Sequence, residues 1–413
     1  MLAQPQAPAA IAEAARGYET RIERIERAGA EPLAVRFILK PDTAGRGSRL
    51  IDATTSALKR LDEWHGPLAI PELTVIDLPW NSPWAGASYA GTVVTTARAL
   101  EPPSDRALER TLVAALARQY WPVPAGSSDA QRRLGEGLAL YVGVRAIHEQ
   151  LEGRHFATAR WFGGFVPYTT RSIEWSPSPT DPRPRMRHFA EVERPAEAPW
   201  RAASSATGGE AQRVALALHT LERYLGWPAM QQVLQGFNQR WRAGQAAEND
   251  LAAVITEQRG RDLRWFFDDA FRSGTHLDYG ISGFSSEPDQ SAAGSYRTHV
   301  SLQRFGDGVF TGTAEPASGS FRNARSLRVV TRFEDGTVAE DWWDGRVAEF
   351  ALTYSGPARA VSVSVDPDAM LLLDRDRSNN TRAPAHLTET GARLAASWFV
   401  WLQDVMLAAT ALL

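Results

Sequence analysis

The chain has 413 residues, 44% of them hydrophobic and 23% charged, with a formal net charge of −3 and no cysteine. Such a composition is globular, and the length allows two or three domains. The small acid excess excludes a nucleic-acid partner held by a domain-wide basic face, and the absence of cysteine excludes disulfides, thiolate metal sites and a cysteine nucleophile.

In chain order, residues 1–31 lack the apolar core of a signal peptide. Arg16, Arg21, Arg24 and Arg27 alternate there with acids, which reads as a solvated, helical leader. PLAVRFILKP (32–41) is dense in β-branched and aromatic residues and predicts a strand. SRLIDATTSALKRLDEWHG has apolar residues at helical spacing and stops at Gly66. ELTVIDLP (72–79) and YAGTVVTTA (89–97) predict two further strands, so a mixed sheet with a crossover helix is expected. A capped amphipathic helix follows in SDRALERTLVAALARQYW, halted by Pro122, and a second in DAQRRLGEGLALYVGVRAIHEQLEG. Beyond a loop at 177–199, rich in proline and charge, three more helices are predicted in GGEAQRVALALHTLERYLG, WPAMQQVLQGFNQRWRAG and ENDLAAVITEQRG.

From about Gly283 the pattern changes to short alternating strands separated by GDG, EDG and WDG turns, which predicts a small β-sandwich. The end of the chain, LAASWFVWLQDVMLAATALL (394–413), has only Gln403 and Asp404 as strongly polar residues. Its length suffices to span a bilayer, although a central aspartate is costly there. Spanning, lying in the interface through Trp398 and Trp401, and packing in the core all compete; membrane association is the expectation carried forward.

The order of elements and several local strings resemble the gluzincin zinc metallopeptidases, the family of aminopeptidase N and leukotriene hydrolase, over roughly residues 33–380. The family's metal helix reads V-A-H-E-L-A-H-Q-W-F, and LVAALARQYW (112–121) overlays it. In that register Ala114 stands at the first histidine, Ala115 at the general-base glutamate and Arg118 at the second histidine. LGEGLALY (134–141) overlays L-N-E-G-F-A-S-Y and puts Glu136 at the third zinc ligand; seventeen residues lie between Arg118 and Glu136, one fewer than is common in the family. AGASYAG (85–91) overlays the G-A-M-E-N strand through Gly86 and Ala87. Tyr89 then replaces the amine-binding glutamate, and Ser88, Tyr89, Ala90 and Gly91 border the implied peptide groove. A less constrained overlay puts the transition-state tyrosine at Ala211 and its neighbouring lysine at Arg213. The family's large amino-terminal β-domain has no counterpart, so a short form or a fragment is expected.

The family chemistry needs two imidazoles four residues apart on one helix face, a carboxylate from the next helix and a glutamate that deprotonates the metal-bound water. Alanine has no side-chain lone pair, and arginine stays protonated. Glu136 alone does not hold zinc. The resemblance therefore implies an α+β, thermolysin-like domain at 32–282, a β-sandwich at 283–380 and a hydrophobic tail at 381–413, without catalytic residues, metal or cofactor. The expected protein is a pseudo-peptidase that binds a peptide or protein partner and is tethered to a membrane through 394–413. A guanidinium at 118 is expected to fill the metal's place and pair with Glu136, because an unpartnered buried carboxylate is costly. The alternative is an active zinc aminopeptidase with an atypical ligand set. Elsewhere, His148-Glu149 opens like a zinc motif, but the next histidine, His155, comes seven residues on and beyond Gly153. No G-x-S-x-G nucleophile elbow occurs.

Overall fold

The computed structural model describes residues 7–27, 29–41, 46–79, 82, 84, 86–97, 107–123, 127–150, 156–161, 166–172, 207–242, 248–260, 263–271, 276–310, 327–368, 370–376 and 379–383. A short helix, α1 (Ala7–Ala14), leads into strand β1 (Glu19–Arg27), which pairs antiparallel with β2 (Ala30–Leu39). The leader expected to be helical is thus a strand over its second half. In ETRIERIER the isoleucines stand three apart and imitate a helical stripe. The ladder with β2 instead places Ile25 opposite Leu33 and leaves the rest of β1 mostly exposed. A row of alternating charge then lies along a sheet edge, which discourages pairing with other chains.

Helix α2 (Arg46–His65) carries the chain to β3 (Glu72–Pro79), β4 (Ser88–Tyr89) and β5 (Thr92–Ala97). The five-stranded sheet has the order β1-β2-β3-β5-β4, with parallel pairing of β2 to β3 and of β3 to β5. Period-two alternation divides its side chains. Val35, Phe37, Leu73, Val75 and Val93 enter the main core with the helices, whereas Ile76, Leu78 and Val94 join Ile11 of α1 and Ala15, just beyond it, in a separate cluster.

The helical layer comprises α3 (Ala107–Tyr120), α4 (Asp129–Gln150), α5 (Thr207–Leu225), α6 (Trp227–Arg242), α7 (Glu248–Arg259) and α8 (Arg264–Phe271). Between α4 and α5 lies a hairpin, β6 (Phe156–Trp161) and β7 (Val166–Ser172), that the sequence pattern did not announce. Helix α4 passes between α3 and α5, and two glycines let it. A Cβ on Gly143 would stand 3.0 Å from the Cα of Ala114 on α3, and one on Gly137 would stand 2.3 Å from Cγ1 of Val214 on α5.

The remaining strands are β8 (Tyr279–Pro288), β9 (Tyr296–Arg304), β10 (Leu327–Phe333), β11 (Val338–Trp343), β12 (Glu349–Gly356), β13 (Ala360–Val365) and β14 (Thr381–Arg382). They form a three-stranded sheet, β12-β9-β8, and a four-stranded sheet, β11-β10-β13-β14. Side chains cross between the two: Tyr354 meets Phe333, Tyr279 meets Trp343 edge-on at 5.3 Å, and the Ala360 amide donates to Ser286 Oγ at 3.0 Å. After β13 the chain turns back onto α5. Asp366 caps this return by accepting from the amides of Met370 and Leu371 at 2.8 and 2.9 Å. Leu371, Leu372 and Leu373 are buried, the Leu372 amide donates to Thr220 Oγ1 at 3.2 Å, and Arg223 Nη1 donates to the Asp368 carbonyl at 3.1 Å. One hydrophobic core therefore includes residues of α5 and of both later sheets. Among the described residues no helix is long and apolar enough to cross a membrane. Residues 394–413 and the proline-rich loop at 177–199 lie outside the described residues.

Candidate functional site

Ala114 and Arg118 stand four residues apart on α3 and so share one helix face, which is turned to α4. Arg118 Nε donates to Glu136 Oε2 at 2.7 Å, and Arg118 Nη1 donates to the Gly86 carbonyl at 3.2 Å. One guanidinium thereby joins three segments: α3, α4 and the loop ahead of β4. The pair is half open to solvent, with side-chain exposures of 24% and 40%. Ala115 is fully buried, and its carbonyl accepts from Ser88 Oγ at 3.0 Å. The carbonyl of Ala211, near the start of α5, lies 3.0 Å from the Cβ position of Gly137, the neighbour of Glu136. Positions 86, 88, 115, 118 and 136 thus meet at one corner, while Ala211 meets α4 on the side of Gly137. Ala114 meets α4 at Gly143 instead, seven residues beyond Glu136. Arg213 turns elsewhere and donates to the Ala270 carbonyl at 2.9 Å, near the end of α8.

This corner does not fit a zinc ion. Ala114 and Ala115 offer no donor atom, Arg118 is a cation without a lone pair, and Glu136 already accepts from it. Among the described residues no group of three or more His, Asp or Glu side chains is placed to hold a metal ion.

The single strand expected at 89–97 is divided in two. The run YAGTVV is a hairpin: β5 pairs on both sides, so the open edge of the sheet is the two-residue strand β4. Its residues diverge. Ser88 stands opposite Val93 on the face covered by α3, whereas Tyr89 stands opposite Thr92 and packs on the other face against the cluster around Ile11. Tyr89 therefore does not share the corner of Arg118, because side chains alternate along even so short a strand. Behind the edge lies Gln119, a buried residue that sequence reasoning passed over. Its Nε2 donates to Ser88 Oγ and to the Tyr89 carbonyl at 2.8 Å, while its Oε1 accepts from the Gly91 amide at 3.0 Å. Gly91 has φ of +70°, which favours glycine. The available signal was a lone amide within the apolar face of ALARQYW.

Two further polar groups in the helical layer are withdrawn from solvent, Glu222 mostly and His65 fully. Glu222 accepts from Tyr141 Oη at 2.8 Å and from Arg145 Nε at 3.0 Å, and the Arg145 guanidinium lies 4.2 Å from the centre of the Trp227 ring. Burial pushes the Glu222 carboxyl up, while Arg145 and Tyr141 pull it down. His65 packs edge-on against Trp121 with ring centroids 4.6 Å apart, and among the described residues neither ring nitrogen has a hydrogen-bond partner. Burial, and secondarily the charge of Arg242, lowers its pKa to about 3.

Neither a protein-family model nor a curated protein matches the sequence. Solved structures do. Aminopeptidase A of Legionella pneumophila, in complex with aspartic acid, matches with a TM-score of 0.51 and 12% identity over 84% of this chain and 37% of that one. An M1 zinc metallopeptidase from Deinococcus radiodurans aligns with a TM-score of 0.42 and 19% identity over 62% of this chain and 52% of that one. The likeness is one of fold. At that level the chain has the mixed α and β architecture of an aminopeptidase's thermolysin-like domain, and it spans well under two thirds of either relative.

Proposed function

We propose that this chain is a pseudo-peptidase: it holds a peptide or protein segment in the cleft beside β4, α3 and α4 and does not hydrolyse it. The observation that carries this reading is the Arg118–Glu136 pair, at the corner where the family resemblance puts the metal. Peptide hydrolysis by such a fold needs an activated water and a base to take its proton. Arg118 neither ligates a metal nor accepts a proton, and Ala115 replaces the base. The reading extends to a β-sandwich over 283–380 as an appended module and to a membrane tether through 394–413.

Elemental analysis of the purified chain, run beside aminoacyl and peptide reporter assays, tests the central claim. No stoichiometric metal and no cleavage is the expected result. Stoichiometric zinc that disappears in Glu136→Gln would sink the reading in favour of a peptidase with atypical ligands. Detergent partition of the chain with and without residues 394–413 tests the tether, with loss of partition expected on truncation.

A further inference from the structure

The open edge beside the cleft offers one residue for pairing and ends on a cation. Among the described residues no strand pairs with the outer side of β4. The Val94 amide donates to the Ala87 carbonyl at 2.9 Å, so by antiparallel alternation the amide and carbonyl of Ser88 point out of the sheet edge. Upstream, the Gly86 amide donates to the Val94 carbonyl at 3.1 Å, and Gly86, at φ +72°, turns its own carbonyl to Arg118 Nη1. Downstream the chain turns at Gly91, whose amide is held by Gln119. A segment added to this edge therefore pairs with Ser88 alone and meets Arg118 where a second pair would form.

The contacts of Arg118 leave part of its guanidinium unused. Such a group carries five N–H bonds; here Nε serves Glu136 and Nη1 serves Gly86. The side chain keeps 24% of its surface in solvent. Donors thus remain at the point where the edge stops, next to the outward amide of Ser88.

We propose that the cleft takes the carboxyl terminus of a peptide chain, its penultimate residue paired with Ser88 and its terminal carboxylate on Arg118. The proposal rests on the pseudo-peptidase reading above and names the class of segment that such a cleft selects. The bond from Arg118 to the Gly86 carbonyl closes the next pairing position, so the segment ends there or turns away. Running antiparallel to β4, it brings its carboxyl end to Gly86, and a carboxylate on a guanidinium makes strong, charge-assisted hydrogen bonds. Running parallel, it brings its amino end, so that cation meets cation in a slightly weaker ladder. Glu136 pulls the other way, since its side chain is 40% exposed and would attract an ammonium group. It stands on α4, however, and already shares an oxygen with Arg118, whereas Arg118 is bonded to the strand's own backbone. Tyr89, where the resemblance implies an amine-binding glutamate, brings no charge and packs on the other face of the sheet.

Three forms of tetra-alanine test this on the full chain: one with free ends, one amidated at the carboxyl end and one acetylated at the amino end. Titrations are followed by the amide resonance of Ser88. The free and acetylated peptides are expected to bind alike, with a Kd of about 1 mM or tighter. The amidated peptide is expected to bind about tenfold more weakly, the worth of one hydrogen bond to a charged group. In Arg118→Ala the three forms are expected to bind equally weakly. In Glu136→Gln, which removes the competing charge, the free peptide is expected to bind about threefold more tightly. Equal affinity for acid and amide forms overturns the proposal, as does binding that needs a free amino end and weakens in Glu136→Gln. So does an unmoved Ser88 resonance at about 10 mM peptide. Each of these leaves the pseudo-peptidase reading standing, whereas hydrolysis of the peptide during the titration overturns both.

Discussion

At the scale of single residues, His65 makes the sharpest demand on the fold. A neutral imidazole is tolerated among Trp64, Tyr120 and Trp121, while a protonated one must recover its lost hydration. Its folded pKa, about 3, lies below the unfolded value. It therefore contributes stability that is fully present above the unfolded pKa of about 6.5 and is lost as pH falls towards the folded value. Between pH 7 and pH 5 the expected loss is about 2 kcal/mol. Urea unfolding of the protein and of His65→Phe at the two pH values checks this; an equal pH slope in both refutes it. The Arg118–Glu136 pair behaves differently because water reaches both partners. Arg118→Ala is expected to lower unfolding stability by at most about 1 kcal/mol, and a larger loss in a urea titration would show that the guanidinium carries more of the packing than its exposure implies. That 118 and 136 face one another was legible through the resemblance, which puts both at metal-ligand positions of consecutive helices. The side on which Tyr89 falls was not legible, because it depends on the register of a two-residue strand.

At the scale of elements, α4 is held by what its glycines omit. Gly137→Ala is expected to cost about 1–3 kcal/mol through overpacking against Val214, even though alanine favours an exposed helix by about 1 kcal/mol. Pairing it with Val214→Ala should recover most of the loss in thermal unfolding. Gln119 does comparable work at the groove. Gln119→Leu keeps the bulk but leaves the Tyr89 carbonyl and the Gly91 amide unbonded, which is expected to cost about 2 kcal/mol. Faster hydrogen exchange at the Gly91 amide than in the unmodified chain would locate the damage. Strands β2, β3 and β5 and the long helices were readable from period and capping, because burial of one face dictates them. Strand β1 was misread as helix because its identity comes from the backbone of β2 rather than from its own pattern. The β6–β7 hairpin and the fold-back of β4 onto β5 depend on pairing at a distance in the same way.

At the scale of the whole molecule, the return of residues 366–374 onto α5 decides how the chain unfolds. A shared core predicts one cooperative transition by calorimetry rather than one for the helical part and one for the strands. Thr220→Val removes the acceptor of the buried Leu372 amide and is expected to lower the midpoint by an amount equivalent to about 1–2 kcal/mol. If the two parts are only loosely joined, the same substitution will separate the transition into two. The alternation of strands in this second half was visible in the sequence. Its attachment to α5 was not, because a threonine hydroxyl receiving an amide across 152 positions leaves no local signature.

The staple formed by Gln119 also bears on time rather than stability. With the Tyr89 carbonyl and Gly91 amide already engaged, the edge that would receive a segment under the proposed function is ordered beforehand. A segment docking there has no loop to organise, so its rate of arrival is set by diffusion and orientation. Competing segments would then arrive at similar rates and be told apart by how long each one stays.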